Sequence, residues 1–433
     1  MKFYSTNNKS LRVSLREAVL QGLAPDKGLY MPERIPTLPR GFLDAAGERS
    51  LQEIAFVVAR EFVSGEVDDN TLTSIISHAL PFDAPVVGID DSVYALELFH
   101  GPTFAFKDFG ARFMAGLLGH FAQQERREVV ILVATSGDTG SAVANGFLRV
   151  PGTRVIVLYP QGKVSEIQEK QFTTLGHNIT ALEVAGTFDD CQRLVKEAFV
   201  DPELTRSLFL TSANSINVAR LIPQSFYYIH AHAQLRHLEL PLVFAVPSGN
   251  FGNLTGGLLA MKMGLPVSRF VACTNVNDVV PEYLQSGLFQ PRPSLQTISN
   301  AMDVGNPSNF ARLLDLYDND REAMAEVLYG CSFTDAETRK AMRDVFERTG
   351  YTLDPHGAVG YLGIRRFLPE FGPAVGVFLE TAHPGKFRDV VEETLGQPID
   401  LPDGLKAFAA GTKQTIPMSA DFSDLKDFLL SAQ

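Results

Sequence analysis

Between Glu128 and Leu379 the chain repeats one arrangement: a short unbroken apolar run, a loop rich in Gly, Ser or Thr, and then a helical pattern. The runs are Glu128–Ala134 (EVVILVA), Arg154–Tyr159 (RVIVLY), Ile179–Val184, Leu242–Val246 (LVFAV), Phe270–Cys273 and Ala374–Leu379 (AVGVFL). Apolar runs of this length without polar alternation are strands covered on both faces. A helix after a strand returns the chain to start a parallel neighbour, so the pattern predicts an α/β fold with mostly parallel sheets and crossover helices. With 433 residues the chain is long enough for two or three lobes. We expect an N-terminal region of helices and short strands over 1–95, including a strand at Val93–Leu98. A small α/β lobe over 96–230 and a large one over 231–433 follow, with a charged helical insertion at about 310–350. These boundaries are soft, and segments can cross between lobes.

Composition narrows the partners. A formal net charge of -12 argues against general affinity for nucleic acid or an anionic membrane surface, so an anionic ligand needs a local basic pocket. The three cysteines, Cys191, Cys273 and Cys331, have neither metal-ligand spacing nor an even pairing count, which fits a reducing compartment and no metal. The N-terminus MKFYSTNNKS lacks an apolar signal core, and no run approaches the ~20 apolar residues of a membrane span. A soluble cytoplasmic protein is expected.

Four segments carry candidate chemistry. In LFHGPTFAFKDFGARF (Leu98–Phe113), Lys107 sits among five phenylalanines. A lysine desolvated by such walls loses preference for its charged form and becomes a usable nucleophile and base. The plainer alternative is that Lys107 reaches solvent and pairs with Asp108 or Glu125. Pro247–Asn253 (PSGNFGN) joins a strand to a helix, and Gly249 and Gly252 let several N–H groups converge on an anion at the helix start, the plainer alternative being a tight strand-to-helix turn with no ligand. Ala134–Gly140 (ATSGDTG) does the same with hydroxyls on Ser136 and Thr139, which suits a carboxylate; an ordinary cap made by Thr135 or Ser136 explains it equally well. Glu380–Phe387 (ETAHPGKF) offers a neutral hydroxyl at Thr381, and His383 and Lys386 as candidate ligands or bases, although an ordinary exposed loop would carry both equally well. Jointly, a desolvated lysine, a phosphate cradle, a carboxylate loop and a neutral hydroxyl are the parts of a pyridoxal 5'-phosphate site.

In this order, HGPTFAFKDFGARF, ATSGDTGSA, PSGNFGN and TAHPGKF resemble threonine synthase, a fold type II pyridoxal-phosphate family related to the tryptophan synthase β fold. APDKGLYMPE, PQGKVSEIQ, NSINVAR, AMDVGNPSNF and DPHGAVGY extend the resemblance over nearly the whole chain, and the short N-terminus and total length point to the bacterial and fungal branch. The resemblance implies two three-layer α/β lobes with the cofactor between them, and a monomer or homodimer. It implies conversion of O-phospho-L-homoserine and water to L-threonine and phosphate. Lys107 then matches the Schiff-base lysine and proton shuttle. Gly249, Asn250, Phe251, Gly252 and Asn253 match the cofactor-phosphate loop, and Thr381 the ring-nitrogen partner. Ser136, Gly137 and Thr139 match the substrate-carboxylate loop. Asp138 stands where many relatives outside the family carry an Asn that reaches the ring oxygen, and an ionised Asp cannot donate that bond. Asn214 and Arg220 match positions for the substrate phosphate, and the residues themselves add Lys163 and Arg112 as basic candidates. A phosphohomoserine lyase or a serine/threonine dehydratase is the alternative within the same fold type.

Overall fold

Residues 1–125 and 127–431 are described by the computed structural model. In chain order the strands are β1 (Lys2–Ser5), β2 (Arg12–Ser14), β3 (Tyr30–Pro32), β4 (Val86–Asp90), β5 (Val93–Glu97), β6 (Val129–Ala134) and β7 (Thr153–Pro160). They continue as β8 (Ile179–Val184), β9 (Phe209–Ser212), β10 (Leu242–Pro247), β11 (Arg269–Thr274), β12 (Leu328–Ser332), β13 (Val375–Glu380) and β14 (Ile416–Met418). Every strand expected from an apolar run is present to within one residue at either end. Their continuous hydrophobicity has the expected cause: each residue of β6, β10 and β13 is buried, because helices cover both faces.

Two parallel sheets dominate. One has the order β12-β11-β10-β13-β5-β4 and is parallel except for the β4–β5 hairpin; the other has the order β14-β8-β7-β6-β9 and is parallel throughout. A small antiparallel sheet, β2-β1-β3, lies at the N-terminus. The sequence order of the strands is interleaved. β4 and β5 join strands that follow residue 240, and β14, near the C-terminus, pairs with β8. The charged stretch at about 310–350, expected to be a helical insertion, carries helices Arg321–Ala325 and Asp335–Thr349. Between them lies β12, which adds an edge strand to the six-stranded sheet beside β11. Its one-sided pairing explains why its sequence, LYGCS, lacks the run of apolar residues found in central strands.

The helix Lys107–Ala122 follows β5 of one sheet but packs on the helix Asp138–Phe147, which follows β6 of the other. That crossing brings the carboxyl ends of strands from both sheets to a common region, where loops run into helix starts. Among the described residues no helix is long and apolar enough to cross a membrane.

Candidate active site

Lys107 is the first residue of its helix, and its approach is fixed by backbone pairing with the end of β13. Leu98 N–H donates to Glu380 O at 3.0 Å, Phe106 N–H to Thr381 O at 2.8 Å, and His383 N–H to Phe104 O at 3.0 Å. Thr381 therefore lies beside the lysine by construction. The Lys107 side chain is 15% exposed and its Nζ donates to Asp138 Oδ2 at 3.4 Å, with the ammonium 5.0 Å from the Phe106 ring centre. Burial pushes the Lys107 amine below the ordinary lysine range; Asp138 opposes this, while Lys386 and Arg220 reinforce it. The simpler pairings do not form. Asp108 is buried and accepts from Thr103 N–H (2.8 Å) and Thr103 Oγ1 (2.7 Å), and Glu125 pairs with Arg16.

The TSGDTG loop divides its residues between bracing and display. Thr135 Oγ1 accepts from Gly137 N–H at 2.9 Å and Gly140 N–H at 2.8 Å and so braces the loop, but the residue at the N-cap is Gly137, not Thr135 or Ser136 as the ordinary-cap alternative had it. Ser136 and Thr139 remain half-buried on the loop, at the start of the helix Asp138–Phe147. Asp138 is 4% exposed and accepts at Oδ1 from Lys386 Nζ (2.8 Å) and Gln168 Nε2 (2.7 Å). Burial alone would favour its neutral form, but Lys386 and Lys107 override it and hold the carboxyl below the usual range. Asp138 is thus an ionised acceptor, which removes the possibility that it donates a hydrogen bond.

The cradle after β10 is shaped by close backbone approach. A Cβ on Gly249 would lie 2.6 Å from Ala301 O and 2.8 Å from Met302 Cα, so no side chain fits there. Phe251 takes φ +61 and is buried, and Gly252 starts the next helix with its free N–H groups. Asn250 Oδ1 accepts from Ser308 N–H at 2.7 Å and its Nδ2 donates to Ser215 Oγ at 3.2 Å. Asn253 faces the other way: its Nδ2 donates to Pro247 O at 2.8 Å, so its side chain braces the loop. The wall at Ala301 is itself held, because Ala301 N–H donates to His356 Nε2 at 3.2 Å while His356 Nδ1 meets Asp354 Oδ1 at 2.6 Å. Beside it, burial and the neighbouring Asp354 push the Glu380 carboxyl well above the ordinary carboxylate range, next to Thr381.

Arg220 is 5% exposed, with Nη1 donating to Ala213 O at 2.8 Å and Nε without a protein partner. A Cβ on Gly110 would meet Arg220 O at 3.0 Å and Nε at 3.4 Å, which puts the guanidinium against the helix one turn from Lys107. Asn214 lies on the preceding loop with a buried, unpartnered Oδ1. The other basic candidates are elsewhere. Arg112 donates through Nε to Ala79 O (2.9 Å) and through Nη2 to His78 O, so it caps the helix Asp69–Ala79. Lys163 is exposed on the turn after β7. Gln168 was not singled out from sequence as a site residue, and Lys386 was named there only as a ligand or base candidate on an exposed loop. Only the fold shows Lys386 fully buried. Gln168 looked like part of a helix face.

A buried lysine with a depressed pKa, a cradle closed to a Cβ at Gly249, and a buried guanidinium with a free donor fit a phosphate-bearing carbonyl cofactor and an anionic substrate. The fold and the site define a pyridoxal-phosphate dependent enzyme, and the family of that description matches residues 78–381. "Threonine synthase N terminus" matches residues 2–80 and "Threonine synthase, C-terminal" residues 357–429. Threonine synthase from Serratia marcescens is 44% identical over 99% of both chains. The crystal structure of threonine synthase from Escherichia coli superposes with a TM-score of 0.92 at 42% identity, covering 100% of each chain. A pyridoxal-phosphate-bound threonine synthase from Brucella melitensis gives a TM-score of 0.93 at 33% identity, over 99% of this chain and 98% of that one. The chain belongs to the threonine synthase family.

Proposed function

We propose that this chain converts O-phospho-L-homoserine and water to L-threonine and phosphate, with Lys107 as the lysine that carries the cofactor and moves the protons. The observation that carries this assignment of roles is the pairing of the buried, pKa-depressed Lys107 with the buried Arg220 one turn away. Pyridoxal phosphate, when bound, supplies the electron sink that acidifies the substrate's carbon-bound protons. The N–H groups around Gly249, Phe251 and Gly252, with Asn250, would hold its phosphate, and the neutral Thr381 hydroxyl would face its ring nitrogen. Ser136, Gly137 and Thr139 would hold the substrate carboxylate at the start of the helix Asp138–Phe147. Arg220 Nε supplies an unused donor for the substrate phosphate, with Asn214 beside it.

The reaction needs protons removed at Cα and Cβ, phosphate lost from Cγ, a proton delivered to Cγ, and water added with its hydroxyl to Cβ and a proton returned to Cα. The Lys107 amine is suited to these transfers because burial weakens its preference for the charged form. Its mobility is limited by Asp138, which holds it from one side. Water must be excluded early and admitted late, which suits closure of the two sheets' loops over the substrate. The same reading carries with it a cytoplasmic monomer or homodimer, and the buried free thiols of Cys191, Cys273 and Cys331 support a reducing compartment.

The test is incubation of the purified protein with O-phospho-L-homoserine, followed by identification of the amino acid formed and of released phosphate. Threonine with stoichiometric phosphate is expected, lost on Lys107→Ala, and Arg220→Ala should raise KM at least tenfold. Phosphate with 2-oxobutyrate in place of threonine would make the protein a lyase and overturn the reading.

A further inference from the structure

The site holds a second lysine that the reaction scheme leaves idle. Lys386 lies in the short turn Pro384–Phe387 after β13, and its side chain is 0% exposed. Its Nζ is 2.8 Å from Asp138 Oδ1 and donates to Thr103 O at 2.7 Å, an oxygen that also accepts from Gln171 Nε2 at 3.0 Å. Lys107 is the looser partner of the same carboxylate, at 3.4 Å on Oδ2. A fully buried ammonium is costly unless it is paired, so this contact is an arrangement the fold has to sustain.

Counting charges shows what the arrangement does. With both lysines protonated, the Lys107–Asp138–Lys386 group carries one net positive charge; with Lys107 neutral it carries none. If Lys386 were absent, the remaining pair would balance only with Lys107 protonated. We propose that Lys386 is a positioning residue that acts through Asp138: it gives the carboxylate a counter-charge at 2.8 Å, so that the site is charge-balanced when the Lys107 amine is neutral. Asp138 then serves as a hydrogen-bond acceptor that orients Lys107 without locking it as an ammonium. This rests on Lys107 being the reacting amine.

The groups that face Lys107 from other elements are Asp138, Lys386 and Arg220; Lys386 in turn is felt by Asp108 and His383. Arg220 acts in the same direction as Lys386 on Lys107, and it is unchanged in the variants below. The depressed Lys107 pKa agrees with the geometry but does not separate burial from charge. Two substitutions do, because they have opposite signs. Lys386→Met leaves Asp138 opposed to Lys107 alone, which favours the Lys107 ammonium. Asp138→Asn leaves Lys386 and Arg220 as like charges with nothing between, which disfavours it.

The experiment is competitive labelling of Lys107 by limiting acetic anhydride across a pH series, read on the Lys107 peptide by mass spectrometry. It uses the full chain after any bound pyridoxal phosphate is removed with hydroxylamine, with far- and near-ultraviolet circular dichroism confirming the fold. The labelling midpoint should rise by about one pH unit or more in Lys386→Met and fall by a similar amount in Asp138→Asn. Lys386→Arg should restore it to within a few tenths of a unit. A merely structural role would expose Lys107 in both variants and move both midpoints up, towards that of a solvated lysine. Shifts of the same sign, or no shift in Lys386→Met, overturn the proposal. Failure of the functional reading would appear separately, as a wild-type protein that makes no threonine, and leaves this measurement intact.

Discussion

His383 is placed where a general base would be convenient, yet its surroundings keep it from charging. Burial, only partly opposed by Glu97, pushes its imidazole down to about 4, and its Nδ1 accepts from Gly385 N–H at 3.0 Å, which caps the following turn. The Phe99 ring lies edge-on at 5.3 Å. A histidine whose folded pKa lies below its unfolded value takes up protons more readily when unfolded. Its stabilising contribution is present above about pH 6.5 and is lost as pH falls towards 4. Between pH 7 and pH 5 the loss should be about 2 kcal/mol. Asparagine keeps a cap acceptor and removes the titration, so urea unfolding of His383→Asn should show that much less loss over the same interval. Equal losses in both proteins would remove His383 from the account. The variant's activity profile should also keep its acid limb, because the imidazole stays neutral wherever the enzyme works.

At the scale of elements, the loops are held by side chains remote from the chemistry. Arg312 has no exposed surface, and its guanidinium donates to Tyr30 O (3.0 Å), Ser215 O (3.1 Å), Ile216 O (2.7 Å) and Asn309 Oδ1 (2.7 Å). It ties the N-terminal β3 to the loop that carries Asn214 and to the segment that faces Asn250. Replacing it with methionine would orphan these buried acceptors and cost about 3 kcal/mol or more, even after the relief of desolvating a charge. Because the Asn214–Ile216 loop is loosened, KM for substrate should rise more than kcat falls. The helix Asp335–Thr349 is a control. Thr334 and Glu337 form a reciprocal capping box there, so Thr334→Ala should cost about 1 kcal/mol in denaturant unfolding with kcat and KM unchanged. A kinetic change in Thr334→Ala, or none in Arg312→Met, would reverse this division between support and site.

For the whole molecule, the interleaved sheets make the C-terminal segment from Ile416 to Ser431 structural. β14 pairs with β8 as the outer strand of the five-stranded sheet, and the helix Phe422–Ser431 buries Leu425 and Leu429 in the same apolar cluster as Met418, Leu182 and Leu194. Losing three such side chains removes roughly 5–8 kcal/mol of burial, comparable with the whole stability of a typical domain. It also bares the edge of β8 to pairing with other chains. Truncation after Gly411 should therefore yield aggregated or unfolded protein, although no residue assigned to the site is removed. A soluble truncated chain with the parent's Tm would show that this strand is dispensable.

The sequence by itself determined whatever depends on neighbours along the chain. The strands at β6, β7, β8, β10, β11 and β13 were legible because burial on both faces demands unbroken apolar runs. The cradle at Gly249–Gly252 and the loop at Ser136–Thr139 were legible because strand-to-helix turns need glycines and free N–H groups. Short edge strands such as β12 and β14 were not, since their stability comes from a partner more than fifty residues away. The tertiary structure alone decided which charges meet. Lys386 and Gln168 converge on Asp138 from separate elements, and Arg220 reaches the Lys107 helix across the gap left by Gly110. Arg112 turns away to cap another helix. Electrostatic partnership depends on distance and burial, and neither is written in the spacing of residues along a chain.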